Sequence, residues 1–134
     1  MSEDLDVVKL EVGGDHRHVR IARLVASGVA SLAGFDVESV EDLRIAVDEG
    51  CVWLIDHGRG QPLHLELRPL STGIEVIGET DHDGQTDATP SVLVEQILSA
   101  SCKEHHFETD GDVLRFRLLS SARATAAVSE ASGG

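Results

Sequence analysis

Glu49 and Trp53 stand four residues apart in Asp48-Glu49-Gly50-Cys51-Val52-Trp53, so a helix over this stretch puts them on one face. A carboxylate in that position is suited to take a proton from an attacking hydroxyl as a general base. Trp53 brings a different chemistry. It has no oxygen to offer a metal, and its indole nitrogen only donates. A second acidic stretch, Glu79-Thr80-Asp81-His82-Asp83-Gly84, gathers carboxylates beside a glycine that permits close backbone approach. Cys102 and His105, or His82 with Asp81 and Asp83, bring metal-ligand types together. Zinc needs three or four convergent ligands, however, and the adjacent His105 and His106 point to opposite faces of a strand. Arg17, Arg20, Arg23 and Arg44 stand out in an acidic chain, and Arg20 and Arg23, three apart, share a helix face.

These groups need elements to hold them. Val7 to Val12 reads as a strand, stopped by Gly13-Gly14. Asp15 caps a helix from His16 to Ala33, which carries Ile21, Ala22, Val25, Val29 and Leu32 at helical spacing and ends at Gly34. Ser39 and Asp42 are spaced as a capping box for a second helix. Its stripe is Val40, Leu43, Val47, Cys51 and Leu54, and it closes at Gly58 and Gly60. Leu63 to Leu67 and Gly73 to Ile77 alternate as a hairpin. Glu79 to Pro90 reads as a loop, Ser91 to Ser101 as a third helix, and His106 to Glu108 with Val113 to Leu118 as a hairpin turning at Asp110-Gly111. Residues 120–134 read as a disordered Ala/Ser/Gly tail, leaving 1–119 as one domain. Paired strands with intervening helices predict an α+β two-layer sandwich: a mainly antiparallel mixed sheet with helices on one face.

The run Ile45-Ala46-Val47-Asp48-Glu49-Gly50-Cys51-Val52-Trp53-Leu54-Ile55-Asp56-His57-Gly58 resembles the Leu-x-Val-x-Glu-Ala-x-x-Asn-Ala-x-x-His-Gly motif of RsbW-like anti-sigma factors, serine/threonine kinases of the GHKL ATPase superfamily. Glu49, His57 and Gly58 match in register, and Trp53 stands where that family has Asn. The resemblance covers roughly residues 7 to 119 and implies the GHKL fold. It implies ATP and Mg²⁺ as cofactors, Glu49 as catalytic base, and a nucleotide site drawing on Glu49, residue 53 and His57. The family's second motif, Asp-x-Gly-x-Gly, implies an adenine-reading Asp. Asp81 or Asp83 holds that place with Gly84, but the glycine pattern is broken. Asp87-Ala88-Thr89-Pro90-Ser91 replaces the Gly-rich lid and offers no phosphate cradle. With Trp53 in the Asn position, the Mg²⁺ contact is lost.

The resemblance further implies a sigma factor and a STAS-domain anti-anti-sigma protein as partners, met in part through Arg17, Arg20 and Arg23. It also implies a homodimer, with Val7 to Val12 as a pairing edge. Three functions stay open at this point. The first is a sequestering regulator with impaired ATP binding and kinase activity. The second is an active ATP-dependent serine/threonine kinase acting on the STAS partner, and the third is a dimeric scaffold in another pathway.

Composition narrows the field. The chain has 134 residues and a formal net charge of −13, a sign that repels nucleic acid and anionic membranes and favours basic partners. The hydrophobic fraction is 41% but aromatics make up only 3%, so the core must be aliphatic. The acidic start, Met1 to Asp6, has no apolar core of a signal peptide, and no run approaches ~18 apolar residues. A cytoplasmic address is the expectation. Cys51 and Cys102, each set among apolar neighbours, read as small core residues.

Overall fold

The computed structural model describes residues 6–84 and 87–122. Five strands, β1 (Val8–Val12), β2 (Leu63–Pro69), β3 (Gly73–Asp81), β4 (Glu104–Asp110) and β5 (Val113–Ser121), form one sheet in the order β1-β2-β3-β5-β4. All four pairings are antiparallel, so the sheet is not mixed. The helices α1 (Val19–Leu32), α2 (Val37–His57) and α3 (Val92–Ser101) cover one face. The alternation of the strands dictates this arrangement. Leu63, Leu65, Leu67, Ile74, Val76, Leu114, Phe116 and Leu118 are buried on the helix side, while Glu66, Arg68, Glu75, Glu79, Arg115 and Arg117 alternate with them.

α2 runs through the centre of the helix layer and buries Leu43, Ala46, Val47, Cys51 and Leu54. Most of its expected stripe is therefore core, and Val40 packs against it half-buried. The start of the helix differs from the expectation. Asp36, not Ser39, is the N-cap, its side chain accepting from Ser39 N at 2.8 Å. Ser39 is itself buried in the first turn. Asp36→Ala is expected to lower stability by about 0.5–2 kcal/mol, read as a shift of the urea midpoint at unchanged slope.

The first helix also begins later than expected. Asp15 caps a short 3-10 turn, His16–His18, by accepting from Arg17 N, and α1 proper starts at Val19. β3 extends past the expected loop boundary, with Glu79, Thr80 and Asp81 opposite Arg115, Leu114 and Val113. Polar residues hide this strand end, because its outward positions are acidic and its inward ones are Gly78 and Thr80. β5 likewise reaches Ser121, two residues into the expected tail; residues 123–134 lie outside the described residues, as do 1–5.

Phe116 fills the middle of the sandwich. A Cβ on Gly50 of α2 would lie 2.8 Å from its ring, and one on Gly78 of β3 would collide with both that ring and Leu65. The two glycines make the slot, and helix and sheet close on it.

The opposite sheet face is a ladder of charges. Arg115 bonds Glu79 and Glu108 at 2.5 Å each, Arg117 reaches Glu75, and Arg68 binds Glu66. The Arg115 side chain, through its hydrogen bond above all, holds the Glu108 carboxyl below its ordinary value. A depressed carboxylate contributes stability that is present above its unfolded pKa and lost as pH falls through the folded one. Arg115→Ala should therefore flatten the acid limb of a Tm-against-pH curve, with wild type and variant converging as the carboxylates protonate.

Candidate functional site

The helical register places Glu49, Trp53 and His57 in successive turns of α2. Glu49 is half-buried. Burial, followed by the neighbouring Asp48 carboxylate, raises its pKa, the direction a general base needs. Trp53 is 4% exposed. Its Nε1–H donates to Ala88 O at 2.6 Å, and its ring meets Phe107 edge-on at 4.6 Å. Phe107 is 6.0 Å from Phe116, so an aromatic row runs from α2 across β4 to the core of the sheet. His57 Nδ1–H donates to Trp53 O at 2.9 Å, a bond back along the last turn of the helix.

The segment after β3 is fastened where it passes Trp53. Ala88 is buried. Asp87 accepts from Thr89 Oγ1 at 2.7 Å and Thr89 N at 3.0 Å, and the hydroxyl bond above all lowers its pKa. Ser91 then caps α3 by accepting from Val94 N. A shallow surface depression lined by Trp53, Thr89, Pro90 and Phe107 lies over this contact.

The acidic stretch divides between the two sides of the sheet. Asp81 ends β3 on the outward, exposed side. Its neighbour Thr80 faces α2 instead, donating to Pro62 O at 2.9 Å, and a Cβ on Gly58 would strike the Thr80 methyl. The matched Gly58 therefore allows the end of the helix to approach the strand. Asp83 binds Arg59 at 2.6 Å. His82 is buried, its Nδ1 accepting from Gly84 N–H at 3.3 Å, and Gly84 takes a positive φ of 75°. The structure thus sets Glu49, Trp53 and His57 along one helix, while Asp81 faces outward and Asp83 pairs with Arg59 just beyond the end of that helix.

These side chains do not fit Mg-ATP. Mg²⁺ takes oxygen ligands. The position one turn from Glu49 presents an indole whose only polar atom is already bonded to Ala88, and Asp81 faces the other side of the sheet.

His105 and His106 do split between the faces. His105 bonds Glu95 of α3 at 2.7 Å, and His106 lies 3.5 Å from Glu108 on the outer face. Cys51 and Cys102 are free thiols, and burial pushes them up to about 12 and about 11, which makes them inert. Of the arginines, Arg17 lies 3.6 Å from Asp15 and Arg23 lies 3.6 Å from Asp48, while Arg20 is exposed. Ala88 and Phe107, which hold Trp53, were not apparent from the sequence, where neither sits in a motif. No helix among the described residues is long and apolar enough to cross a membrane.

No family model matches the chain. Among curated proteins it is similar to the serine-protein kinase RsbW of Bacillus pumilus (strain SAFR-032), at 40% identity over 57 residues covering 42% of this chain and 35% of the relative. RsbW of Bacillus velezensis is 39% identical over 57 residues, 36% of its length. These two matches thus span about a third of the relatives. RsbW of Bacillus subtilis (strain 168) is 29% identical over 128 residues, covering 86% of this chain and 80% of that protein. Together with the register of α2 and the α+β sandwich around it, these matches make the chain similar to the RsbW serine-protein kinases.

Proposed function

We propose that the chain is an anti-sigma regulator that works by protein contact. It binds and sequesters a sigma factor, and a STAS-domain anti-anti-sigma protein counteracts it, with ATP binding and kinase activity impaired. The observation that carries this reading is Trp53: buried, bonded to Ala88 O and edge-on to Phe107, it occupies the place of the family's metal-binding Asn. A high negative charge suits basic partner surfaces, and the exposed Arg20 beside Arg17 and Arg23 offers a local site of opposite sign for an acidic one. The test is two-part. Purified chain should retain a sigma factor or a STAS-domain protein from its own cell extract and show no heat with millimolar Mg-ATP. Failure to retain either class of protein sinks the reading.

A serine-protein kinase acting on the STAS partner is the second reading. It draws on Glu49, whose raised pKa suits a general base, and on the similarity to serine-protein kinases. Phosphoryl transfer depends on metal electrostatics and positioning. ATP-dependent transfer of labelled phosphate to a STAS protein, lost in Glu49→Gln, would establish this reading over the first.

A further inference from the structure

His82 is the first residue beyond β3, and its imidazole is shut off from solvent. Its main-chain N–H donates to Asp112 O in the β4–β5 turn at 2.8 Å, which fixes the backbone there. Among the described residues the ring makes one hydrogen bond: Nδ1 accepts from Gly84 N–H at 3.3 Å. A ring nitrogen that accepts carries no proton, so the neutral ring has its proton on Nε2. Nε2 is buried and has no partner among the described residues. The contact with Gly84 is therefore the ring's one polar anchor.

A second partner stands 3.9 Å from the same nitrogen: Asp83 Oδ1. That distance is too long for a hydrogen bond. The two partners have opposite requirements. Gly84 N–H needs Nδ1 without a proton, and the Asp83 carboxylate needs Nδ1 with one. A single proton therefore decides between them, and a bond to the carboxylate is the stronger kind once the ring is charged. Arg59, from the chain that leaves α2, holds the other carboxylate oxygen, Oδ2, at 2.6 Å, so Oδ1 can turn to the ring. The other acidic groups around the site lie elsewhere. Asp81 points outward from β3, Asp110 lies 3.7 Å from Arg115, and Asp112 meets His82 through its carbonyl. Among the described residues only Asp83 comes within ion-pair distance of the ring.

We propose that His82 is a proton-operated switch at the end of β3. Neutral, it holds Gly84 through Nδ1. Protonated, it lets Gly84 N–H go and donates to Asp83 Oδ1, joining the Arg59–Asp83 pair. Imidazole is the side chain suited to such a change near neutral pH. Gly84 is the residue that feels it, because its left-handed φ of 75° sets it against Gly111 O of the β4–β5 turn. The switch stands apart from any sigma factor, STAS protein or nucleotide, and its test needs none.

Nuclear magnetic resonance of the nitrogen-15-labelled full chain, from about pH 8 to about pH 5, reads it directly. At the upper end the His82 ring should be the Nε2–H tautomer. On acidification Nδ1 should take up a proton, and with the same midpoint the protection of the Gly84 amide against hydrogen exchange should fall about fivefold, the loss of one neutral hydrogen bond. His82→Asn keeps a short acceptor but no titrating ring, so its Gly84 protection should not change over this range. An Nδ1–H tautomer at the upper end overturns the proposal. So does a ring that takes up no proton over the range, or one that takes it up while Gly84 protection stays constant. A folded His82→Asn chain that keeps the wild-type dependence on pH overturns it as well. The wild-type readings decide the matter even where the variant does not fold.

Discussion

Trp53→Ala is expected to cost about 3–5 kcal/mol of unfolding free energy, one of the two largest losses from a single side chain in this fold. Truncation removes three things at once: the packed indole, its edge contact with Phe107 and the bond to Ala88 O. A cavity at the end of α2 and a buried carbonyl without its donor remain. Trp53→Phe separates these terms. It keeps most of the packing but leaves the buried Ala88 carbonyl without its donor, at about 1–3 kcal/mol. Urea unfolding followed by far-ultraviolet circular dichroism reads both, since Trp53 is the sole tryptophan and fluorescence disappears with it. A cost below about 1 kcal/mol for the alanine variant would mean that the indole does not anchor the 87–90 segment. Trp53→Asn is the informative companion. It places there the asparagine of the resembled motif but leaves Asp81 on the outward face, so titration with Mg-ATP should stay flat.

Phe116→Ala should match that loss, at about 3–5 kcal/mol. Its ring is fully buried between Gly50 and Gly78, and neither glycine has a side chain that could relax into the void. The converse change is also costly. Gly78→Ala forces a methyl into the ring and into Leu65 and should cost about 1–3 kcal/mol. The two effects are coupled because they occupy one volume. Gly78→Ala combined with Phe116→Leu should therefore be more stable than the sum of the single losses predicts. Strict additivity in denaturant titrations would show that the ring is not held by the glycines.

The elements that the sequence announced most clearly are those whose burial follows a simple period. α2 showed its stripe through Leu43, Val47, Cys51 and Leu54, and β2 showed its face through Leu63, Leu65 and Leu67; both are core. Boundaries set by polar groups were not legible. Asp36 and Ser39 are both good caps, and only tertiary burial of Ser39 decides between them. The end of β3 looks like loop in the sequence because Glu79, Thr80 and Asp81 are hydrophilic. Yet Thr80 satisfies its hydroxyl inside on Pro62 O, while its neighbour Glu79 pairs outward with Arg115 of β5. That same alternation removes Asp81 from the α2 side, which a motif search, blind to strand parity, does not register. For the site, the sequence displayed Glu49, Trp53 and His57 because helical spacing is local. It could not display Ala88 and Phe107, which reach Trp53 from 35 and 54 positions away through pairings that only the folded sheet establishes.

The order of the sheet sets a schedule for synthesis. β3 pairs on one side with β2, its immediate predecessor, but on the other with β5, and α3 and β4 intervene before that partner is made. At ~5–20 residues per second the ribosome leaves the second edge of β3 open for a few seconds. During that interval Val76 and Ile74 have no β5 to shelter them, and the nascent chain carries an unpaired, partly apolar strand edge of the kind that recruits other chains. The outward Glu75, Glu79 and Asp81 guard that interval: before Arg115 and Arg117 arrive to neutralise Glu75 and Glu79, the strand repels its own kind. The charge ladder thus acts first as a safeguard of the growing chain and only later as a set of ion pairs.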